Sequence, residues 1–205
     1  MRFYKFQKWQ QCFYPNAIFD FHKQPVENKV IYLTFDDGPT PGVTNLILDS
    51  LDEQNAKATF FCIGEKVKKH PQLFQEIINR GHSVGNHTMT HINGFKTSTK
   101  IYVDNVLEAK TYINSNLFRP PYGKCTLKQH KKISSLGFKT VFWSHLSYDF
   151  DSSLITEERI QKLKNQSKNG SVIVFHDTEE AFKKKEFEIM LEYYEANNFK
   201  LVAIT

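Results

Sequence analysis

The strongest constraint on this chain is an alternation. Seven short runs rich in β-branched and aromatic residues, "VIYLTF", "ATFFCIG", "HSVGNH", "NLFRP", "TVFWS", "SVIVF" and "FKLVAIT", are separated by stretches with helical apolar spacing or by long loops. Strands divided by helices pair in parallel, because each crossover carries the chain back to the same end of the sheet. About seven such units predict an α/β fold closed, or nearly closed, into a barrel, with the chemistry gathered at the C-terminal ends of the strands.

The helices are punctuated. Thr40 reads as an N-cap with Pro41 in the first turn, followed by Val43, Ile47 and Leu51 at four-residue spacing. Pro71 opens a helix that turns Leu73, Phe74, Ile77 and Ile78 inward and ends at Gly81. Thr126 opens another that Gly137 ends, and Thr156, with Glu157 and Glu158, opens one that stops at Asn169-Gly170. Residues 1–28 carry no clear period. They read as a cap packed on the barrel through Trp9, Phe13 and Tyr14, leaving 29–205 as the single main domain.

Composition excludes more than it selects. The net charge of +5 comes from lysines spread along the chain, with clusters as short as "VKKH" and "FKKKEFE", so no basic stripe for nucleic acid is expected. No run reaches the length of a membrane span. The N-terminus lacks an apolar core of the signal-peptide type, so the chain as given reads as cytoplasmic, an upstream export segment being compatible with it. Cys12, Cys62 and Cys125 form no CxxC pair, which argues against a thiolate metal site or a disulfide frame. A monomer is expected.

Polar clusters follow five of the apolar runs: Asp36-Asp37, His87 with His91, Arg119 to Tyr122, Asp149, and His176-Asp177. Barrel topology would bring all five to one end. In "GNHTMTHING" the histidines stand at i and i+4, the spacing that aims two imidazoles from one face of a helical turn at a single cation. A carboxylate at a nearby strand end would complete a His₂Asp set, which leaves coordination positions open for water and substrate. Adjacent residues on a strand face opposite ways, so Asp36 and Asp37 can share a site only where the strand ends. If Asp37 binds the metal, Asp36 can serve as general base, with Gly38-Pro39 supplying the turn.

The ordered motifs "TFDDGP", "HTMTH", "RPPYG", "DF" and "VFH" resemble those of the polysaccharide deacetylases, carbohydrate esterase family four, from about Val30 to the C-terminus. The resemblance implies a distorted (β/α)₇ barrel that deacetylates a glycan. It implies Asp36 as base and Asp37, His87 and His91 as ligands of a divalent metal, commonly zinc. Arg119 would hold Asp36, the Tyr122 N–H would help bind the oxyanion, and Asp149 would orient His176 as general acid. Each role has physical sense: arginine can fork onto a carboxylate, Pro120 and Pro121 stiffen the loop presenting Tyr122, and a departing amine needs a proton. The ligand set also suits cobalt, nickel or iron.

Three positions in two of the motifs depart from the family's commoner pattern. Leu146 stands in place of an earlier aspartate and Phe150 in place of a tryptophan, while Val174 replaces a leucine; Phe150 and Val174 are expected to alter the wall of the acetyl pocket. The activity expected is removal of N-acetyl groups from a GlcNAc-containing chitooligosaccharide or peptidoglycan-like chain. The alternatives are an O-acetyl esterase acting on a glycan such as xylan, and a metal-dependent glycan-binding module without catalysis.

Overall fold

The computed structural model describes residues 6, 8–22 and 29–205. Its strands are β1 (Lys29–Asp36), β2 (Thr59–Cys62), β3 (Ser83–Asn86), β4 (Leu117–Phe118), β5 (Lys139–Thr140), β6 (His145–Leu146), β7 (Ser171–His176) and β8 (Phe199–Val202). Its helices are α1 (Lys8–Gln11), α2 (Val43–Glu53), α3 (Gly64–Lys69), α4 (Pro71–Asn79), α5 (Thr99–Lys110), α6 (Leu127–Ser135), α7 (Thr156–Gln166), α8 (Glu179–Phe182) and α9 (Glu186–Ala196). Among the described residues no helix is long and apolar enough to cross a membrane.

The sheet is parallel, in the order β5-β4-β3-β2-β1-β7-β6, with β8 also beside β1. β8 pairs with the first half of β1 and β2 with its last residues, while β7 runs along the other edge from Ile31 to Asp36. The run "TVFWS" does not stay in one ladder. It begins in the ladder with β4 at β5, leaves that ladder, and continues into β6, which pairs with β7. Taken as one strand that changes partners, it gives the seven strands and distorted barrel that the sequence implies.

The segment before β1 is laid across this break. The Ile18 N–H donates to the Thr140 carbonyl (2.9 Å), the Phe142 N–H donates to Ile18 (2.8 Å), and the Phe21 N–H donates to Gly170 (2.7 Å). Backbone groups that the closing strand leaves unpaired are thereby satisfied. Trp9 and Phe13 do not anchor the segment, as they are 65% and 51% exposed. The anchors are Phe19, buried and stacked on Phe142, and Tyr14, whose hydroxyl donates to the Cys125 carbonyl at 2.6 Å.

Two-residue periodicity divides the core. On β1, Ile31, Leu33 and Phe35 face outward into the layer shared with α2, α4 and α9. Tyr32 faces the barrel interior with Phe61, Val172, Val174 and Ile204. Thr34 and Asp36 share the inward parity of Tyr32, and both are buried.

Some helix details differ from the sequence reading. α2 starts at Val43 behind Gly42 (φ 83°); Thr40 instead lies in the preceding turn, its N–H donating to the Thr44 hydroxyl and its own hydroxyl to the Asp177 carbonyl. Pro71 does open α4, but Ile78 is 39% exposed because the buried stripe is Leu73, Phe74 and Ile77. Thr126 caps α6 in a reciprocal box with Gln129. α7 stops at Gln166, and Asn169 is used elsewhere, its side-chain oxygen accepting the Val30 N–H at 2.8 Å.

Candidate active site

Parity turns Asp36 into the barrel at the last residue of β1. There its Oδ1 accepts a hydrogen bond from Arg119 Nη1 at 2.7 Å. Arg119 follows β4 and is fully buried, lying 4.0 Å over the Phe61 ring. The expected two-point fork onto Asp36 is not formed. Nη1 also donates to the Thr34 hydroxyl (2.7 Å), Nη2 to the Phe142 carbonyl (3.0 Å) and Nε to the Val141 carbonyl (3.2 Å). The remaining N–H groups are drawn to the carbonyls that the closing strand leaves outside its ladder.

Asp37 sits on the turn after β1 with φ 75°, a left-handed conformation that brings its carboxylate back to the same cavity as Asp36. Its Oδ1 lies 3.4 Å from His87 Nε2 and 3.1 Å from His91 Nε2. One ligand atom from each of the three residues lies within 4.8 Å of the others. The same Oδ1 is buried without a hydrogen-bond partner, an orphaned acceptor facing two imidazoles, which suits a cation among them.

His87 directly follows β3. Its Nδ1–H donates to the Arg119 carbonyl at 2.8 Å, which leaves Nε2 to face Asp37. The two histidines do not share a helical turn. Residues 87–91 form a loop in which Thr88 (φ 65°) and His91 (φ 54°) are left-handed. Side chains hold it open: Asn86 Oδ1 accepts the Thr88 N–H and Asn105 Oδ1 accepts those of Met89 and Thr90. The rings still converge, with centroids 5.1 Å apart.

Across the cavity, β7 ends at His176. Asp149 grips this residue twice, Oδ2 accepting its backbone N–H and Oδ1 accepting Nδ1–H, both at 2.7 Å. Burial alone would lower the imidazole pKa; the charge and hydrogen bond of Asp149, with Asp37 and Asp36 behind, override burial and push it up to about 9.

The cavity measures about 360 Å³, with Asp36, Asp37, His87, His91 and His176 joined by Tyr122, Trp143, Leu146, Tyr148 and Phe150. Tyr122 stands at the mouth in a left-handed conformation (φ 59°, ψ 8°), its ring 4.6 Å from that of His91. Pro121 is buried beneath this loop. The Phe150 ring lies 4.8 Å from His176. Val174 does not reach the cavity: it shares the inward face with His176 but lies one layer deeper, fully buried in the interior core.

The sequence analysis assigns no role to Trp143 and Tyr148, and it names Asp177 only as the neighbour of His176. The aromatics of "WSHLSYDF" are the available signal for the first two. Asp177 is fully buried, its Oδ2 accepts the Thr44 hydroxyl at 2.5 Å, and burial pushes its pKa up to about 7. It packs so closely on the turn after Asp37 that a Cβ at position 38 would lie 2.1 Å from Oδ2, which is why glycine stands there.

Fold and site together define a βα barrel with an open two-imidazole, one-carboxylate cation centre at the C-terminal ends of its strands. The chain belongs to the polysaccharide deacetylase family, whose domain matches residues 23–141. A peptidoglycan-N-acetylglucosamine deacetylase of Bacillus cereus is 33% identical over 159 residues, 75% of each chain. A chitooligosaccharide deacetylase of Azorhizobium caulinodans is 32% identical over 154 residues, 72% of this chain and 73% of that one. Among solved structures, the Bc1960 peptidoglycan N-acetylglucosamine deacetylase superimposes with a TM-score of 0.83 at 28% identity, covering 96% of this chain and 93% of the other. Peptidoglycan deacetylase PdaC from Bacillus subtilis gives 0.79 at 28% identity, with coverage of 88% and 90%. Asp149 and His176 lie beyond the matched domain segment, so their pairing rests on the geometry above.

Proposed function

We propose that this protein is a metal-dependent hydrolase that removes N-acetyl groups from GlcNAc-containing glycans of the chitooligosaccharide or peptidoglycan type. The observation that carries this reading is that the Asp149–His176 pair faces the cluster of Asp36, Asp37, His87 and His91 across one cavity. Residues 29–205 form the catalytic unit, with the preceding segment laid on it.

Asp37, His87 and His91 would hold the divalent cation, zinc first among the metals this donor set suits. When bound, the cation supplies Lewis-acid polarisation of the acetyl carbonyl and acidifies water. Arg119 fixes Asp36 through Oδ1, leaving Oδ2 to take a proton from the attacking water. Asp149 fixes the His176 tautomer, so that Nε2 carries a proton toward the departing amine. The Tyr122 N–H, at the mouth, donates to the oxyanion that develops on the acetyl group. Tyr148, Phe150 and Leu146 enclose the acetyl methyl.

Acetate release from chitooligosaccharides, peptidoglycan and acetylxylan, measured before and after chelation and metal restoration, tests the reading. Release from the N-acetylated glycans that chelation abolishes and zinc restores is expected. Release from acetylxylan alone would replace it with the O-acetyl esterase reading.

A further inference from the structure

Beside the active-site cavity lies a second concavity of about 510 Å³, and the two share Tyr122, Gly123, Lys124, Trp143, Leu146 and Tyr148. The two adjoin along these residues. The far wall of the second is built by the segment that precedes the barrel: Trp9 is 65% and Phe13 51% exposed, facing Phe95 and Leu127. Large apolar side chains gathered on a surface mark a binding site when they are held in place. Here they are held. Just beyond them Tyr14 is bonded to Cys125, the Pro15 carbonyl pairs with His130 Nε2 at 3.0 Å, and Ile18 is bridged to Val141. The Trp9 and Phe13 rings stand 6.2 Å apart at 89°, so they offer two faces set at a right angle.

We propose that this second concavity is a sugar subsite peculiar to the segment before the barrel, in which Trp9 and Phe13 stack on the glycan units next to the one being deacetylated. The proposal rests on the deacetylase reading. Adjacency decides the occupant: a polymer that has its acetyl group at His176 and Asp36 and extends over the shared residues meets the aromatic wall next. A pyranose ring presents a face of C–H bonds, which packs on an aromatic ring, and an edge of hydroxyls, which suits Lys124 and Thr126 beside it. The substrate is then an oligomer or polymer, and the wall raises affinity without touching the reacting atoms.

Two measurements test this. In steady-state kinetics of the metal-loaded enzyme, the Trp9→Ala/Phe13→Ala variant should raise KM for tetra-N-acetylchitotetraose about tenfold, with kcat changed less than about twofold. Its loss on the tetramer should exceed its loss on p-nitrophenyl acetate by the same factor. Equal losses on the two substrates would overturn the subsite and leave the deacetylase reading standing. The second measurement is equilibrium binding of the tetramer to metal-loaded Asp36→Asn protein, followed by tryptophan fluorescence, since both tryptophans, Trp9 and Trp143, line the second concavity. Saturable quenching, weakened about tenfold by adding the two alanines, supports the subsite even if no glycan yields acetate, the result that would sink the deacetylase reading alone. Failure of the tetramer to bind, or binding of an apolar dye that the tetramer does not displace, overturns the subsite in favour of an apolar partner.

Discussion

At the residue scale, two adjacent and chemically alike carboxylates occupy different environments. Asp36 ends β1 with one oxygen held by Arg119, whereas Asp37, past the strand and left-handed, points an unpaired oxygen at two imidazoles. Asp37→Asn should therefore lose most of the bound metal after dialysis while Asp36→Asn keeps it and loses activity. Metal analysis of the two proteins decides this, and equal retention would refute the division of roles. His82 gives a residue-scale prediction far from the chemistry. Burial, with help from Lys57, lowers its pKa from 6.5 to about 4, and Nδ1 accepts the Ala58 N–H. Below pH 6.5 the unfolded chain binds a proton that the folded chain refuses, so this contribution to stability is complete above 6.5 and is lost as pH falls toward 4. On the order of 2 kcal/mol should disappear between pH 7 and 4.5, and His82→Gln should flatten that dependence. Urea unfolding of both proteins at the two pH values measures it, and parallel slopes would show that His82 is not the cause.

At the scale of elements, what the sequence made legible was periodicity, and what it hid was the path between periods. Parity restricts a site shared by Asp36 and Asp37 to the end of the strand, and the structure puts Asp36 there, in register with His176 at the end of β7. The four-residue spacing of His87 and His91 was read as a helical turn. A loop with two left-handed residues achieves the same convergence, and its scaffold, Asn86 and Asn105, comes from β3 and α5. Spacing alone cannot separate these cases, because either route can bring the two rings together. The "TVFWS" run was legible as a strand, but its change of partner midway depends on where Ile18 lies, more than a hundred residues earlier in the chain. Arg119 is legible as a partner of Asp36, yet its Nε and Nη2 donate to carbonyls freed by that same break. Non-local pairing of this kind leaves no mark in local composition.

At the scale of the whole molecule, the segment before β1 links barrel closure to the site. Phe19 is buried and stacked on Phe142 with centroids 5.0 Å apart, and the Phe142 carbonyl receives Arg119 Nη2, whose neighbouring Nη1 holds Asp36. The sequence reading assigned the anchoring to Trp9, Phe13 and Tyr14, since large aromatics in an aperiodic stretch suggest packing; of these only Tyr14 turns inward. The two kinds of aromatic should separate in stability. Phe19→Ala empties a filled position against the closing strand and should cost about 3 kcal/mol, the usual scale for losing a buried phenylalanine. Trp9→Ala removes a side chain that is 65% exposed and should change stability by about 0.5 kcal/mol or less. The Phe19 variant should also lose deacetylase activity below its unfolding transition, because a slackened Phe142 carbonyl loosens the arginine that orients the base. Urea unfolding midpoints of the two variants, with activity measured in the folded baseline of each, test both halves. Equal destabilisation would mean that Trp9 fastens the segment to the barrel as firmly as Phe19 does.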